Sequence, residues 1–570
     1  MGRFWDTIDE LVYKHLAFAE QQSGPQPTDY LNHKDASLPS APATSPFYSL
    51  FLRRLLSGLP LVPHETFSHP VAQVIAISSR NPSPIEELRN LYTSSNTGAH
   101  RLPQWVNNEY LRYYVLIHDE DYDDIKRSTS LFEQMKRHFG LHCHLLRLRS
   151  TQCLPSDDDS LRLPTCEWMS AGEELAEIAS RENLEDDEDP TPYIFESDAA
   201  AIRGFVREMV TQSIIPGMER MSAQWNDQVA SRRRGLSGRF TSLTKRWTPF
   251  SGRSATGPSL GTPGSNYDAL QGFYRPDTPE AIMRKLADYA MMLRDFRLAQ
   301  STYDILSTDF KNDKALKYYA GASEMAAIAT LLSFGPMSAK VRTDTVDQML
   351  ELAYYTYTTR SISQYHALRT LVLGAELLRM RGGSALDDAA RWESKIIEDR
   401  LVGPTGHALT LERIATCYMS RQGVGSLQSG SRQRKAAFWN VLATDAWLRL
   451  DKPTQAEKRL VDATALYKVF DEEAEPLAFD GMNGFIGQLR QAIKARKASR
   501  NPHEGTREDD ETTLVESMQE QSEQVDQRIR THRKSLSSAA PPQALDPLGA
   551  VPLPSSPTLE RPDPKQEGFE

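Results

Sequence analysis

Hydrophobic and polar positions follow two regimes along this chain. Between residues 71 and 148 the apolar residues come in short β-branched runs. Val71-Ala-Gln-Val-Ile-Ala-Ile-Ser78 suits a buried strand, and Asn81-Pro-Ser-Pro-Ile-Glu-Glu87 is a turn opening a helix with early acids. Tyr113-Tyr-Val-Leu-Ile-His118 repeats the strand pattern, a helix follows from about Asp124 to Phe139, and Cys143-His-Leu-Leu-Arg-Leu148 gives a third strand. In that helix Ile125, Phe132, Met135 and Phe139 form an apolar stripe with Leu131 beside it, and Gly140 ends it. Strand, helix and strand joined by short connections predict a βαβ unit on a parallel sheet.

Farther along, the period changes to that of helices. Ala199–Val229 carries Ile202, Phe205, Met209 and Val210 on one side, and Pro216 predicts a kink or break. From Thr278 to about Ala498 the helical pattern is almost continuous, opening at Thr278-Pro279-Glu280 with a capping hydroxyl, a proline at the first helical position and an early acid. Leu286-Ala287, Ala290, Ala299 and Tyr303 have the small/large spacing of a tetratricopeptide-like helix pair, echoed at Leu442-Ala443, Ala446 and Ala456. Small residues let paired helices approach closely. An irregular helical bundle is the alternative reading. The expected layout is a mostly disordered segment at 1–66 with a short helical patch near Trp5–Phe18, an α/β domain at 67–180 and an acidic linker at 181–198. A helical segment at 199–247, a flexible loop at 248–277, an all-α tetratricopeptide-like solenoid at 278–498 and a disordered tail at 499–570 complete it.

Composition narrows the class. With 570 residues the chain exceeds one ordinary core, and 66 basic against 76 acidic residues leave a net charge of −10. That balance argues against a general nucleic-acid binder. Four cysteines (Cys143, Cys153, Cys166 and Cys417) do not make a disulfide framework, so a reducing cytoplasm is expected. No apolar run reaches the ~18 residues a membrane span needs. No signal peptide opens the chain, and Asp6 stands where a myristoylation signal places Ser or Thr.

Catalytic signatures are weak. Ser79-Arg-Asn-Pro-Ser-Pro84 follows the first strand where a nucleotide fold would place a glycine-rich phosphate loop. Gly257-Pro-Ser259-Leu-Gly261 has the form of a nucleophile elbow but sits in a Gly/Ser/Pro-rich loop without the strand and helix an elbow needs. His142, Cys143, His144, Cys153 and Cys166 are the densest metal-like group. Alternate side chains of a strand point to opposite faces, so residues 142–144 cannot all converge on one ion. His118-Asp119-Glu120-Asp121 at a strand end reads as a capping turn, with a magnesium or general-base site as the alternative. No catalytic residue, cofactor or metal is expected.

The most informative stretch is Ser231–Trp247. Leu236, Phe240, Leu243 and Trp247 fall on a helical stripe about 60° wide. Arg239 and Arg246 edge it, and Arg232, Arg233, Arg234 and Lys245 bring the basic residues to six with no acid. Each basic group near an anionic leaflet is worth about 1 kcal/mol, which predicts an interfacial helix on a cytosolic membrane. A helix docked on the protein's own core or on a partner subunit fits as well. An RNA-binding or nuclear-import patch is less favoured, because stacking aromatics are not interleaved with the arginines.

Several segments resemble the eighty-five-kilodalton subunit family of the transport protein particle (TRAPP), the subunit that distinguishes TRAPP III. They are Ser78-Ser-Arg-Asn-Pro-Ser-Pro-Ile-Glu-Glu-Leu88, Tyr114-Val-Leu-Ile-His-Asp119, Phe205-Val-Arg-Glu208 through Ser231-Arg-Arg-Arg-Gly-Leu-Ser-Gly-Arg-Phe240, and Tyr267 through Phe273-Tyr-Arg-Pro-Asp-Thr-Pro-Glu280 to Ala326. The likeness runs over roughly 71–480, and residues 1–66 do not look like the family. It implies a non-enzymatic scaffold that recruits the TRAPP core subunits to early secretory and autophagic membranes. The core, not this subunit, then acts on a Rab GTPase. It also implies a membrane-contacting amphipathic helix, for which Ser231–Trp247 is the matching stretch. The expected location is cytoplasmic and peripheral to ER–Golgi, Golgi and phagophore-assembly membranes. An unrelated tetratricopeptide-like adaptor and an enzyme built on the α/β domain are the alternatives.

Overall fold

Three parallel strands, β1 (Ala72–Ser78), β2 (Leu111–Asp119) and β3 (Cys143–Leu148), lie side by side in the order β1-β2-β3. This is seen in a computed structural model that describes residues 5–21, 45–57, 62–65, 69–98, 101–163, 166–182, 192–230, 265–425, 429–468 and 480–500. α3 (Pro84–Ser95) and α4 (Ile125–Phe139) connect the strands and cover one face, through Leu88 and Met135 packed on Ile75, Ile77, Tyr114 and Leu116. Both helices fall on one face because each crossover steps the same way across the sheet. Asp124 caps α4 by accepting from the Lys126 N–H (3.0 Å), and Gly140 takes φ +86° to end it.

The other face is covered by a helical run that starts inside the expected acidic linker. A strand pair, β4 (Ser160–Arg162) with β5 (Tyr193–Phe195), leads into α6 (Glu196–Glu208), a π-turn at Met209–Ile214, α7 (Ile215–Trp225) and a second π-turn at Asn226–Ala230. At the kink or break expected around Pro216, the α-helix gives way to a π-turn between α6 and α7. That turn absorbs the proline, with the Ile215 N–H reaching five residues back to Val210 O. Phe205 packs on Tyr113, Val115 and Leu146 of the sheet, while Met218 and Trp225 pack on the first helix of the C-terminal part.

That part opens with α8 (Pro279–Met292), capped as expected by Thr278, whose Oγ accepts from the Ala281 N–H (3.4 Å). It is preceded by a short hairpin, Tyr267–Asp268 with Phe273–Tyr274, inside the segment expected as flexible loop; Tyr274 is 2 % exposed and packs in the core. α9 (Phe296–Asn312), α10 (Leu316–Leu332), α11 (Gln348–Tyr355, between π-turns), α12 (Gln364–Arg381) and α13 (Ala385–Glu398) follow. α14 (Pro404–Met419), α15 (Gln433–Arg449), α16 (Pro453–Lys468) and α17 (Asp480–Arg500) complete the chain of helices. Each packs chiefly on its neighbours in sequence. Leu286, Ala287, Ala290, Ala299 and Tyr303 are all buried, as the small/large spacing requires.

The largest correction concerns residues 1–66. The helical patch expected near Trp5–Phe18 is α1 (Asp6–Gln21), but the described part also contains an unexpected α2 (Pro46–Leu56), and both are sunk in the helical core. Leu11, Val12, Leu16 and Leu55 have no exposed surface, worth roughly 1.5–3 kcal/mol per side chain relative to exposure. α5 (Ala171–Glu182), expected within the α/β domain, packs on α1 instead, its Ala171 and Ile178 joining the same core.

Candidate functional site

At the carboxyl end of the sheet, where open α/β folds place ligands, the acids are engaged by the protein itself. Arg80 pairs with Asp119 and, at 3.2 Å, with Asp123, which also accepts from the Ser79 hydroxyl. Asp121 accepts from the Ser150 and Thr151 N–H groups (2.9 and 2.8 Å) and from the Thr151 hydroxyl (2.7 Å). His118 is buried and hydrogen-bonds to Ser128 (2.9 Å). These are the capping contacts the bland reading of the acidic turn requires.

The metal-like group disperses. Cys143 is buried among Ile75, Tyr114 and Met135, and burial pushes its thiol up to about 11. His142 and His144 turn to the opposite face, meeting Ser213 (2.9 Å) and Glu208 (3.1 Å) of the helical run. Cys153 is buried near Asp157 and Asp159, and Cys166 is exposed. Among the described residues no three His, Cys, Asp or Glu form a metal-holding group, and no helix is long and apolar enough to cross a membrane.

The predicted membrane-contact residues, Arg232, Arg233, Arg234, Leu236, Arg239, Phe240, Leu243, Lys245, Arg246 and Trp247, lie outside the described residues, as does Ser259. Their anchorage is described. The preceding π-turn ends at Ala230 against α8, with Trp225 tilted on Tyr289 (ring centroids 5.2 Å apart) and the Lys285 ammonium 5.5 Å from the indole. Burial, above all, lowers Lys285 to about 8. On the far side of residues 231–264 the chain returns at Ser265, and the Asn266 amide donates to Glu280 of the same helix (2.9 Å). α8 therefore holds the chain on both sides of residues 231–264.

α8 is itself wired into a buried polar junction that sequence reasoning missed. Its Arg284 donates to Asp288 and to the His64 carbonyl (both 2.9 Å), and Asp288 accepts from the Tyr303 hydroxyl (2.6 Å). Burial pushes Asp288 up to about 6. Beside it Glu65 pairs with Arg369, which grips Glu324 with two nitrogens (2.9 and 2.7 Å). Burial alone would raise Glu65; bonds to His366 and Arg369 outweigh it and hold the carboxyl far below the usual range. Residues 62–65 thus bind α8, α10 and α12 together. Glu324, in the middle of the largely apolar Leu316–Leu332, is the local signal of such a junction.

α1 contributes two carboxylates to helix ends elsewhere. Asp9 accepts from the Thr405 and Gly406 N–H groups (2.9 and 3.2 Å) at the start of α14. Glu20 accepts from Thr454 and Gln455 (both 3.1 Å) at the start of α16. Gly403 and Lys452, which precede Pro404 and Pro453, have no side-chain acceptor of their own, so the caps come from a helix roughly 400 residues away in the chain.

A family model for the ER-Golgi trafficking TRAPP I complex 85 kDa subunit matches residues 3–382. The chain belongs to this TRAPP 85 kDa subunit family. The match begins at residue 3, so the expectation that 1–66 stands apart from the family is wrong, consistent with α1 and α2 lying in the core. Transport protein particle subunit trs85-2 of Schizosaccharomyces pombe is 34% identical over 429 residues, covering 74% of this chain and 67% of the relative. Trafficking protein particle complex III-specific subunit 85 of Saccharomyces cerevisiae is 23% identical over 488 residues, with the same coverages. Trafficking protein particle complex subunit 8 of Homo sapiens is 26% identical over 537 residues, covering 80% of this chain and 36% of its own length. This TRAPP-family chain thus spans about two thirds of its yeast relatives and about a third of the human one.

Proposed function

We propose that this chain is a non-catalytic scaffold and targeting subunit of a TRAPP III-type tethering assembly. The observation that carries the reading is the family match over residues 3–382, joined by relatives named as TRAPP subunits, one of them specific to complex III. The chain binds TRAPP core subunits, and Rab nucleotide exchange is performed by that core and only directed by this subunit. It works from the cytoplasm at early secretory, Golgi and phagophore-assembly membranes. The C-terminal helices form an α-solenoid, a reading supported by packing of each helix on its sequence neighbours. Internal pairing of Asp119, Asp121 and Asp123 at the sheet's carboxyl end favours a structural α/β domain over an enzyme.

Residues 231–247 lie on anionic cytosolic membranes, with Leu236, Phe240, Leu243 and Trp247 at the interface and Arg232, Arg233, Arg234, Arg239, Lys245 and Arg246 over the headgroups. Packing of Asn226–Ala230 on α8, immediately before the stretch, supports this by giving its N-terminal side a fixed platform. Affinity purification of the tagged full chain tests the assembly: small TRAPP core subunits recovered near stoichiometry support it, and a clean preparation without them refutes it. Flotation with anionic liposomes tests the membrane contact. Phe240→Asp with Trp247→Asp should abolish flotation, and wild-type flotation by the double variant rejects this role.

A further inference from the structure

Among the described residues β1 is an outer edge of the sheet, with its outward backbone open. The Ser79 N–H donates to Ile117 O (2.9 Å), which sets the parity: odd-numbered residues of this strand face β2, and Ala72, Val74 and Ala76 turn their N–H and C=O outward. These outward groups have no partner among the described residues. Natural sheets guard such edges with charge or proline. β1, Ala-Gln-Val-Ile-Ala-Ile-Ser, has neither, whereas the opposite edge strand β3 carries His144 and Arg147.

A groove of about 480 Å³ runs beside the edge, lined by Gln73–Ala76, by Leu91 and Ser95 of α3, and by Leu102 and Tyr110. Val74 and Leu91 are 45 % and 36 % exposed there. Stacked on the groove-lining Tyr110 is a cation with no carboxylate partner among the described residues. Arg112, opposite Gln73 in the register, lies 4.0 Å from the Tyr110 ring centroid and 5.4 Å from that of Tyr92. It donates to the carbonyls of Asn108 and Tyr110, its Nε is buried without a partner, and no carboxylate pairs with it among the described residues.

We propose that the β1 edge is the docking site for an extended segment of a partner protein. That segment adds as a fourth strand, sends apolar side chains at alternate positions into the groove, and carries one carboxylate that reaches Arg112. Only a strand offers the spaced amides and carbonyls this edge lacks, and only an acid neutralises the stranded guanidinium.

The test is fluorescence anisotropy of the labelled peptide Thr-Glu-Thr-Val-Thr-Leu-Thr against the full chain. Micromolar binding is expected. Val74→Pro removes only an outward N–H and leaves the ladder to β2 intact, so it should weaken binding about tenfold with far-UV circular dichroism unchanged. The same peptide N-methylated on the amides facing β1 should lose binding, and methylated on the other edge should keep it, a comparison that needs no variant protein. Replacing the peptide's Glu by Gln should weaken binding to wild type severalfold but not to Arg112→Gln. Equal binding of the two methylated peptides, wild-type affinity of Val74→Pro, or no binding at millimolar peptide overturns the proposal. A chain dimer in sedimentation that Val74→Pro dissolves would also overturn it, assigning the edge to a second copy.

Discussion

Glu393 is a carboxylic acid enclosed by the helical core, 1 % exposed on α13. One oxygen accepts from the Tyr48 hydroxyl (3.3 Å) and the other has no partner. The adjacent Glu376 takes the charge of Arg413 (2.6 Å) and the same Tyr48 hydroxyl (2.9 Å). Burial, reinforced by the negative Glu376, pushes Glu393 from 4.5 up to about 8. Because the folded state holds this proton more tightly than the unfolded one, its contribution is fully present below pH 4.5 and is lost as pH rises toward 8. At 1.36 kcal/mol per tenfold change in protonation the swing is about 5 kcal/mol. Glu393→Gln puts a neutral near-isostere in the same place and removes that dependence. Urea unfolding followed by fluorescence of the buried Trp392 and Trp447 should show the variant within about 1 kcal/mol of wild type at pH 5. At pH 9 it should be more stable by several kcal/mol. Other titrating groups cancel in the difference between the two proteins. A variant destabilised equally at pH 5 and pH 9 refutes the reasoning.

Arg369→Leu leaves Glu65 and Glu324 buried with uncompensated charge, and should cost about 3–5 kcal/mol in the same assay, with Glu324→Gln in that background recovering part of the loss. Glu20→Ala should cost about 1 kcal/mol and speed amide exchange at Thr454 and Gln455 while leaving Thr405 and Gly406 unchanged. Asp9→Ala should do the reverse. Burial pushes Asp9 up to about 6, so its contribution falls as pH rises through 6, and the penalty of Asp9→Ala should be larger at pH 5 than at pH 8.

Much of the architecture was legible because it rests on local pattern. The three strands read directly from β-branched runs, α4 from its Ile125–Phe139 stripe, and the start of α8 from Thr278-Pro279-Glu280. Each of these is decided by neighbours within about two turns of chain. Pro216 signalled a departure from the regular α-helix but not its form, a π-turn that changes the i−4 hydrogen-bond pattern the proline would disrupt. Pro46–Leu56 was hidden in a Pro- and Ser-rich neighbourhood, although Phe47, Leu50, Phe51, Arg54 and Leu55 have helical spacing.

The sequence by itself determined β1–β3, α4 and the helical C-terminal part, the divergence of residues 142–144 across a strand, the apolar and basic spacing at 231–247 and the resemblance to the TRAPP 85 kDa family. Only the tertiary structure decided that α1 and α2 are core rather than tail, and that Asp9 and Glu20 cap α14 and α16. It alone brought Glu65 to Arg369, and among the described residues left the edge of β1 open and Arg112 without a carboxylate. The physical reason is range. Periodicity reports which face of an element is apolar, but a cap or ion pair spanning 300 to 400 residues leaves no local period. It exists only once the chain has folded and burial makes an unpaired charge costly.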